Sequence, residues 1–430
     1  MSPPRLEGRG PHPGPSVSPG DATSGSSPSA DTDPGVEANA GADAGIGTAT
    51  EANADTDTGI GTATETNTNA GTGTDAGADA VRKADARGRQ AARLRPPVAL
   101  AAVAVLLVSM LAGLLVGAAD IAPTSVMLQL LDWLPFVSAD SGLAPVELGL
   151  LTELRLPRVL LAAIVGGLLA VAGAGYQGVF RNPLADPYLL GAAAGAGLTT
   201  TAAIVFTGGD VEAIGIPAAA FTGAVGGVLL AYALGSAAGR GGGTATLVLA
   251  GVAVTSFLTA VQTFLQQLKV EELQRIYAWI LGDVGGGWGQ VTLVVPYAAV
   301  SVVVMLLHGR LLDVLSVGDD EAVTLGLNAT RVRLVVLLAA SLATAAAVAV
   351  SGLIGFVGIV VPHVVRRLAG SSYRIVLPIS LIGGAAFLVL ADLIARTVLA
   401  PAELPIGVVT AFVGAPFFVA VLRVTRRVET

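Results

Sequence analysis

The chain has 430 residues, of which 53% are hydrophobic, 13% charged and 5% aromatic, with a formal charge of −7. A globular soluble chain carries about 25% charged residues, so this composition excludes an ordinary soluble domain and indicates a multi-pass membrane protein. Cysteine is absent and the histidines are His12, His308 and His363 alone, which excludes a disulfide framework and a thiolate site and leaves too few ligands for a resident metal.

Residues 1–81 hold 12 acidic side chains against Arg5 and Arg9, a net of −10, and the remaining chain is net +3. The low overall charge therefore belongs to the tail and says nothing about a nucleic-acid surface. This tail is Gly, Ala, Thr, Asp, Ser and Pro, with Gly45–Glu51 repeated as Gly59–Glu65. It has too little apolar surface to offset the entropy of ordering, so an acidic, disordered, low-complexity tail is expected over 1–81. Residues 82–96 form a basic cytoplasmic juxtamembrane segment carrying Arg82, Lys83, Arg87, Arg89, Arg93 and Arg95.

From residue 97 the pattern becomes apolar. Runs at 97–119, 159–180, 188–206, 214–236, 245–265, 291–307, 334–350, 353–365, 375–395 and 406–422 are nearly free of charge. Most approach the ~20 residues that a helix needs to cross a bilayer. An all-α transmembrane domain of about ten helices is expected over 97–427, with the short run at 353–365 counted as spanning. Starting the count inside the cell collects 17 basic residues in cytoplasmic connections against five outside, namely Arg155, Arg158, Lys269, Arg275 and Arg396. That bias places both termini in the cytoplasm.

The functional classes narrow by what the helices lack. Neither Lys83 nor Lys269 lies in a GxxxxGK[ST] loop, so this chain carries no ATPase of the Walker type and must be energised from elsewhere. Ion-coupled transporters place ionisable groups at the membrane midplane. Here His363 and Asp392, with Gln177 as a neutral polar group, are the main intramembrane candidates, which weakens that alternative. No serine-protease triad can be assembled, so the chain reads as a non-enzyme. The abundant Gly and Ala fit close helix packing, or alternatively a passage lined by small side chains.

The interruptions of the apolar pattern are more specific. They are Arg155-Leu156-Pro157-Arg158 at the opening of the second helix; Gln177 followed by Asn182-Pro183-Leu184-Ala185-Asp186-Pro187 and Gly191; Gly355-Phe356-Val357-Gly358 followed by Pro362-His363 and Arg366; Asp392 with Arg396; Glu403, Pro405 and Gly407; and Gly414 with Pro416-Phe417. Six such elements in this order resemble the FecCD-type permeases of ABC importers, which carry iron-siderophore chelates, haem or cobalamin. The resemblance covers about residues 97–427. It departs from the family in the acidic tail and at Ser372-Tyr373-Arg374, where the family usually has an Asp-His-Arg-like element.

The resemblance implies a permease subunit in the bacterial plasma membrane that binds no cofactor itself. Its partners would be a second permease copy or paralogue, two cytoplasmic ATPase subunits that use ATP, an extracytoplasmic substrate-binding lipoprotein, and membrane lipid. It implies docking of that lipoprotein at Arg155, Arg158 and Arg396. It also implies an ATPase coupling segment at Asp319, Asp320, Glu321, Ala322, Leu325, Gly326 and Leu327, where an acidic start and a glycine stop read independently as a short capped helix. The expected cargo is an iron-siderophore, with cobalamin or haem as alternatives. Bare metal is disfavoured on ligand chemistry alone, since the chain has no Cys and few His.

Overall fold

The computed structural model describes residues 96–426 except 118–120, 136–137, 209–214 and 238–243. The acidic tail and the basic residues before Pro96 lie outside the described residues. In chain order the helices are α1 (Pro96–Leu115), α2 (Pro123–Asp132), α3 (Pro145–Phe180), α4 (Ala192–Thr207), α5 (Gly215–Ala237), α6 (Thr244–Leu268), α7 (Leu273–Ile280), α8 (Trp288–Leu307), α9 (Gly309–Val317), α10 (Asp319–Thr324), α11 (Ala329–Ser351), α12 (Val357–Ala369), α13 (Tyr373–Thr397) and α14 (Ile406–Arg426). No strand occurs among the described residues. Lipid offers no partner to a free N–H or C=O, so the apolar runs take the one local structure that satisfies its own backbone.

All ten apolar runs contain a helix: α1, α3, α4, α5, α6, α8, α11, α12, α13 and α14. Seven of these are long and apolar enough to cross a membrane, and α4 and α14 are shorter apolar helices. α12 has 13 residues, about 20 Å at 1.5 Å per residue, and falls short of the ~30 Å hydrocarbon core. The run at 353–365 is thus only partly helical. Residues 352–356 are non-helical, as are 188–191 at the start of the run assigned to α4.

The second membrane helix also starts earlier than its apolar run. α3 spans 36 residues, about 54 Å, and the Arg155–Arg158 motif lies within it instead of opening it. Leu150–Arg155 is a π-turn in which the Leu156 N–H donates to the Leu151 carbonyl, five residues back. Pro157 explains the widening, because it has no N–H to give and its ring crowds the preceding turn.

α3 is the central element and is mostly buried along its apolar stretch, whereas α1 is mostly exposed. Pairs of glycines set the helix spacing. A Cβ on Gly166 would overlap the Gly384 carbonyl oxygen, and a Cβ on Gly384 the Gly166 carbonyl oxygen, so α3 and α13 meet backbone to backbone. Gly195 of α4 and Gly223 of α5 have the same reciprocal relation. These glycines serve close packing, which resolves the two readings of the small residues at these positions.

Candidate functional site

Three polar clusters lie along the α3–α13 axis. The outer one contains the arginines expected to meet a partner. Arg158 Nε donates to Asp392 Oδ1 at 2.9 Å, while its Nη1 and Nη2 form a fork onto Glu403 Oε1 and Oε2 at 3.1 and 2.9 Å. Arg396 pairs with the other oxygen of Asp392 at 3.4 Å. Its Nη2 also donates to the Gly113 carbonyl, and Arg155 Nη1 donates to the Leu114 carbonyl at 3.0 Å. Both arginines thereby take up carbonyls at the last turn of α1, which has no intrahelical donors left.

Exposure divides this cluster. Arg155, Asp392 and Arg396 are 7%, 1% and 4% exposed, whereas Glu403 is exposed and Arg158 half-buried. All three arginines were expected at a docking rim, but the structure turns Arg155 and Arg396 inward. The surface presents Arg158 already paired with Glu403. The pairing places Glu403 in the same cluster as the Arg155–Arg158 and Asp392–Arg396 motifs, a link that separate motifs do not reveal.

The middle cluster is the crossing of the two non-helical segments. Tyr188 Oη donates to the Ile354 carbonyl at 3.0 Å and accepts the Ile354 N–H at 3.2 Å, so one side chain satisfies both backbone groups of a residue in extended chain. Non-helical backbone at membrane depth is tolerated only where protein covers it. Pro187 packs against Gly358, where a Cβ would approach the ring to 2.7 Å.

Pro362 inside α12 has no N–H, which leaves the Gly358 carbonyl without its usual helical donor; Gln177 Nε2 fills the vacancy at 3.1 Å. Gln177 in turn accepts from Arg366 Nη1. Asn182 and Asp186 fold the preceding turn by accepting the N–H groups of Leu184 and Tyr188, at 2.9 and 2.7 Å.

The remaining motif residues frame this crossing. Gly352 ends α11 at φ +67°, and a Cβ there would overlap the Trp279 carbonyl. Phe356 also holds φ +67°, a strained state for a residue with a side chain, and it sits where a Cβ on Gly414 would overlap its ring. The Gly407 N–H donates to the Leu281 carbonyl at 3.0 Å, next to Pro405 at the entry to α14. His363 meets Phe417 edge-on at 5.7 Å between centroids, one residue after Pro416. Gly191 lies against Gly227 of α5, whereas Gly355 and Pro183 enter none of these contacts.

The inner cluster reaches the cytoplasmic connection. Arg366 lies 5.4 Å from the Tyr373 ring centroid and its Nη2 donates to the Tyr373 hydroxyl at 3.4 Å. Asp313 of α9 accepts the Tyr373 N–H and the Ser372 hydroxyl. α10 follows, and the expected glycine stop is present. Gly326 has φ +78°, its N–H donates to the Val323 carbonyl, and the Leu327 N–H donates to the Ala322 carbonyl, a Schellman closure. The side chains of Asp319 and Asp320 lie outside the described residues, so the acidic cap is not described. Ala322 is fully buried, while Val317, Val323 and Leu325 are 69%, 64% and 71% exposed.

Among the described residues no three His, Asp or Glu side chains gather as a metal site. Ten membrane-region helices, two interrupted segments crossing at depth and a capped cytoplasmic helix define an α-helical membrane permease. The chain belongs to the FecCD transport family, which it matches over residues 105–424. It is 43% identical over 271 residues to a cobalamin import system permease of Halobacterium salinarum, covering 63% of this chain and 72% of that one. It is 41% identical over 277 residues to an iron(3+)-hydroxamate import system permease of Bacillus subtilis, covering 64% and 71%.

A solved inward-facing structure of a putative metal-chelate type ABC transporter matches with a TM-score of 0.66 at 28% identity, covering 76% of this chain and 99% of that chain. The protein is therefore the permease subunit of an ABC importer, a non-catalytic multi-pass protein of the plasma membrane.

Proposed function

We propose that this permease carries an iron-siderophore chelate into the cell, as a pair of permease chains driven by two cytoplasmic ATPase subunits that use ATP and supplied by an extracytoplasmic binding lipoprotein. One observation carries the coupling: Val317, Val323 and Leu325 stand exposed on the cytoplasmic connection, next to the closed turn of α10. Exposed large apolar groups grouped outside the membrane mark a surface for another protein. α10 is short and pinned at its C-terminal end, so a push on it passes to α9 and, through Asp313, to α13.

Arg158 is the docking cation in this reading. A carboxylate of the lipoprotein would compete with Glu403 for its fork, while Arg155 and Arg396 hold the outer ends of α1 and α13. The buried charged side chains among the described residues are Arg155, Asp392 and Arg396, close together at the outer end. A carboxylate clamped by two arginines there does not supply the free midplane acid of an ion-coupled carrier. A finished chelate suits the permease better than bare iron, since among the described residues no three His, Asp or Glu side chains gather as a ligand set.

The test is uptake of labelled ferric siderophores, cobalamin and haem in cells lacking this chain and in cells with it restored, with the proton gradient collapsed and ATP maintained. Chain-dependent siderophore uptake that survives the collapse supports the proposal. Loss of cobalamin or haem uptake alone overturns the cargo, and uptake that stops with the gradient overturns the mechanism. Replacing Asp319–Leu327 by a Gly/Ser stretch should leave the chain in the membrane but abolish uptake; normal uptake rejects the coupling assignment.

A further inference from the structure

An apolar groove of about 400 Å³ opens along the cytoplasmic half of the bundle, between α1, α12 and α13. Its walls include Val98 and Val105 of α1, Val364 and Leu368 of α12, and Ile379 and Phe387 of α13. Small residues on facing helices recess it, Ala101 and Ala102 opposite Gly383 and Ala386. A Cβ on Gly383 would meet only Val361 within 4 Å, at 3.3 Å, so the gap is not closed by backbone. From Ile379 to Leu390 the α13 wall rises about 16 Å, close to the ~15 Å depth of one leaflet's hydrocarbon. α1 turns exposed Leu100, Val103 and Leu107 outward beside it, which makes this a lipid-facing side of the molecule.

The cytoplasmic end of the groove is basic. Arg367 is exposed and directly precedes Leu368 of the wall. No acidic residue occurs in the sequence between Val357 and Ala391, which spans the α12 and α13 walls. We propose that the groove is a binding site for an anionic phospholipid of the cytoplasmic leaflet, with an acyl chain lying between α1 and α13 and the phosphate held at Arg367. The apolar wall supplies affinity for any chain of suitable length, and Arg367 supplies the preference for an anion, about fivefold for one arginine near the surface.

The site is tested on the purified full-length chain in neutral detergent, by native mass spectrometry with phosphatidylglycerol and phosphatidylcholine of the same acyl chains. The expected result is one phosphatidylglycerol retained per chain, at least about fivefold more tightly than phosphatidylcholine, with the difference shrinking as salt rises. Gly383→Leu fills the groove and should lose both lipids. Ala101→Leu, on the exposed face of α1, makes the same test if the first variant fails to fold. Arg367→Gln should lower phosphatidylglycerol binding about fivefold and leave phosphatidylcholine unchanged.

Equal binding of the two lipids overturns the proposal, as does unchanged phosphatidylglycerol binding in both filled variants. A filled variant that changes the mass of the oligomer instead of the lipid count also overturns it, because the groove is then a seam between chains.

Discussion

The carboxylate of Asp313 accepts the backbone N–H of Tyr373 at 2.5 Å, tying the last cytoplasmic helix before α10 to the first residue of α13. The second oxygen takes the Ser372 hydroxyl at 2.7 Å. Asp313 thus serves as the N-terminal cap of a helix 60 residues away, where an anion is also favoured by the helix dipole. Ser372 supplies a hydroxyl and Tyr373 a backbone donor to that carboxylate.

Asp313→Ala is expected to lower stability by about 1–3 kcal/mol, the cost of stranding donors that had a charged acceptor. A thermal unfolding series of the purified chain measures it. On the coupling role proposed for α10, the same variant should lower transport per ATP hydrolysed while hydrolysis persists. A parallel fall in both would make Asp313 a structural cap only.

The outer cluster predicts an order of effects. Asp392 is 1% exposed between Arg158 and Arg396, and removing one partner of a buried pair costs roughly 3–5 kcal/mol. Glu403 holds only the exposed side of Arg158, where a pair is worth about 0–1 kcal/mol. Asp392→Asn should therefore depress the unfolding midpoint far more than Glu403→Gln. Equal shifts would show that Asp392 is not the anchor of the cluster. Glu403→Gln should also free the Arg158 fork and tighten lipoprotein binding, readable as a lower Kd in a pull-down titration.

Close helix approach gives a third prediction. Gly384→Val places a Cβ against the Gly166 carbonyl, with two methyl groups beyond it, and backbone on both sides cannot move aside as a side chain could. Loss of folded protein in the membrane fraction is expected. Gly226→Ala on α5 faces open space and should leave the yield unchanged. If both variants behave alike, helix spacing at 166–384 is looser than the structure shows.

The ten membrane helices were readable because lipid enforces one answer for each long apolar run. Hydropathy is blind to whether an apolar residue is helical, however, so residues 188–191 and 353–356 merged with the helices that follow them. The signal was present in the Pro183, Pro187 and Gly352 interruptions, which favour non-helical backbone. The 36-residue α3 was missed for another reason: Glu147, Glu153 and Arg155 break the apolar run, although the helix continues through them. The motif order pointed to Gln177, Pro362 and Gly358, but only the fold explains them together, one side chain completing the carbonyl that a proline left open. Asp313 and Tyr188 carried no local signal, since their partners lie 60 and 166 residues away.

Tyr188 offers a direct test of the crossing of the two interrupted segments. Its hydroxyl is both donor and acceptor for Ile354, so Tyr188→Phe removes two hydrogen bonds and leaves the ring in place. An unpaired backbone group costs about 1–3 kcal/mol where water cannot replace the partner. Amide exchange at Ile354 should accelerate by at least about fivefold, the equivalent of ~1 kcal/mol of protection. Exchange in the 352–356 segment should rise with it while the middle of α3 stays protected. Unchanged exchange at Ile354 would mean that the segment is held by packing of Phe356 on Gly414 and not by the tyrosine. A rise throughout α3 would instead show that the crossing supports the whole bundle.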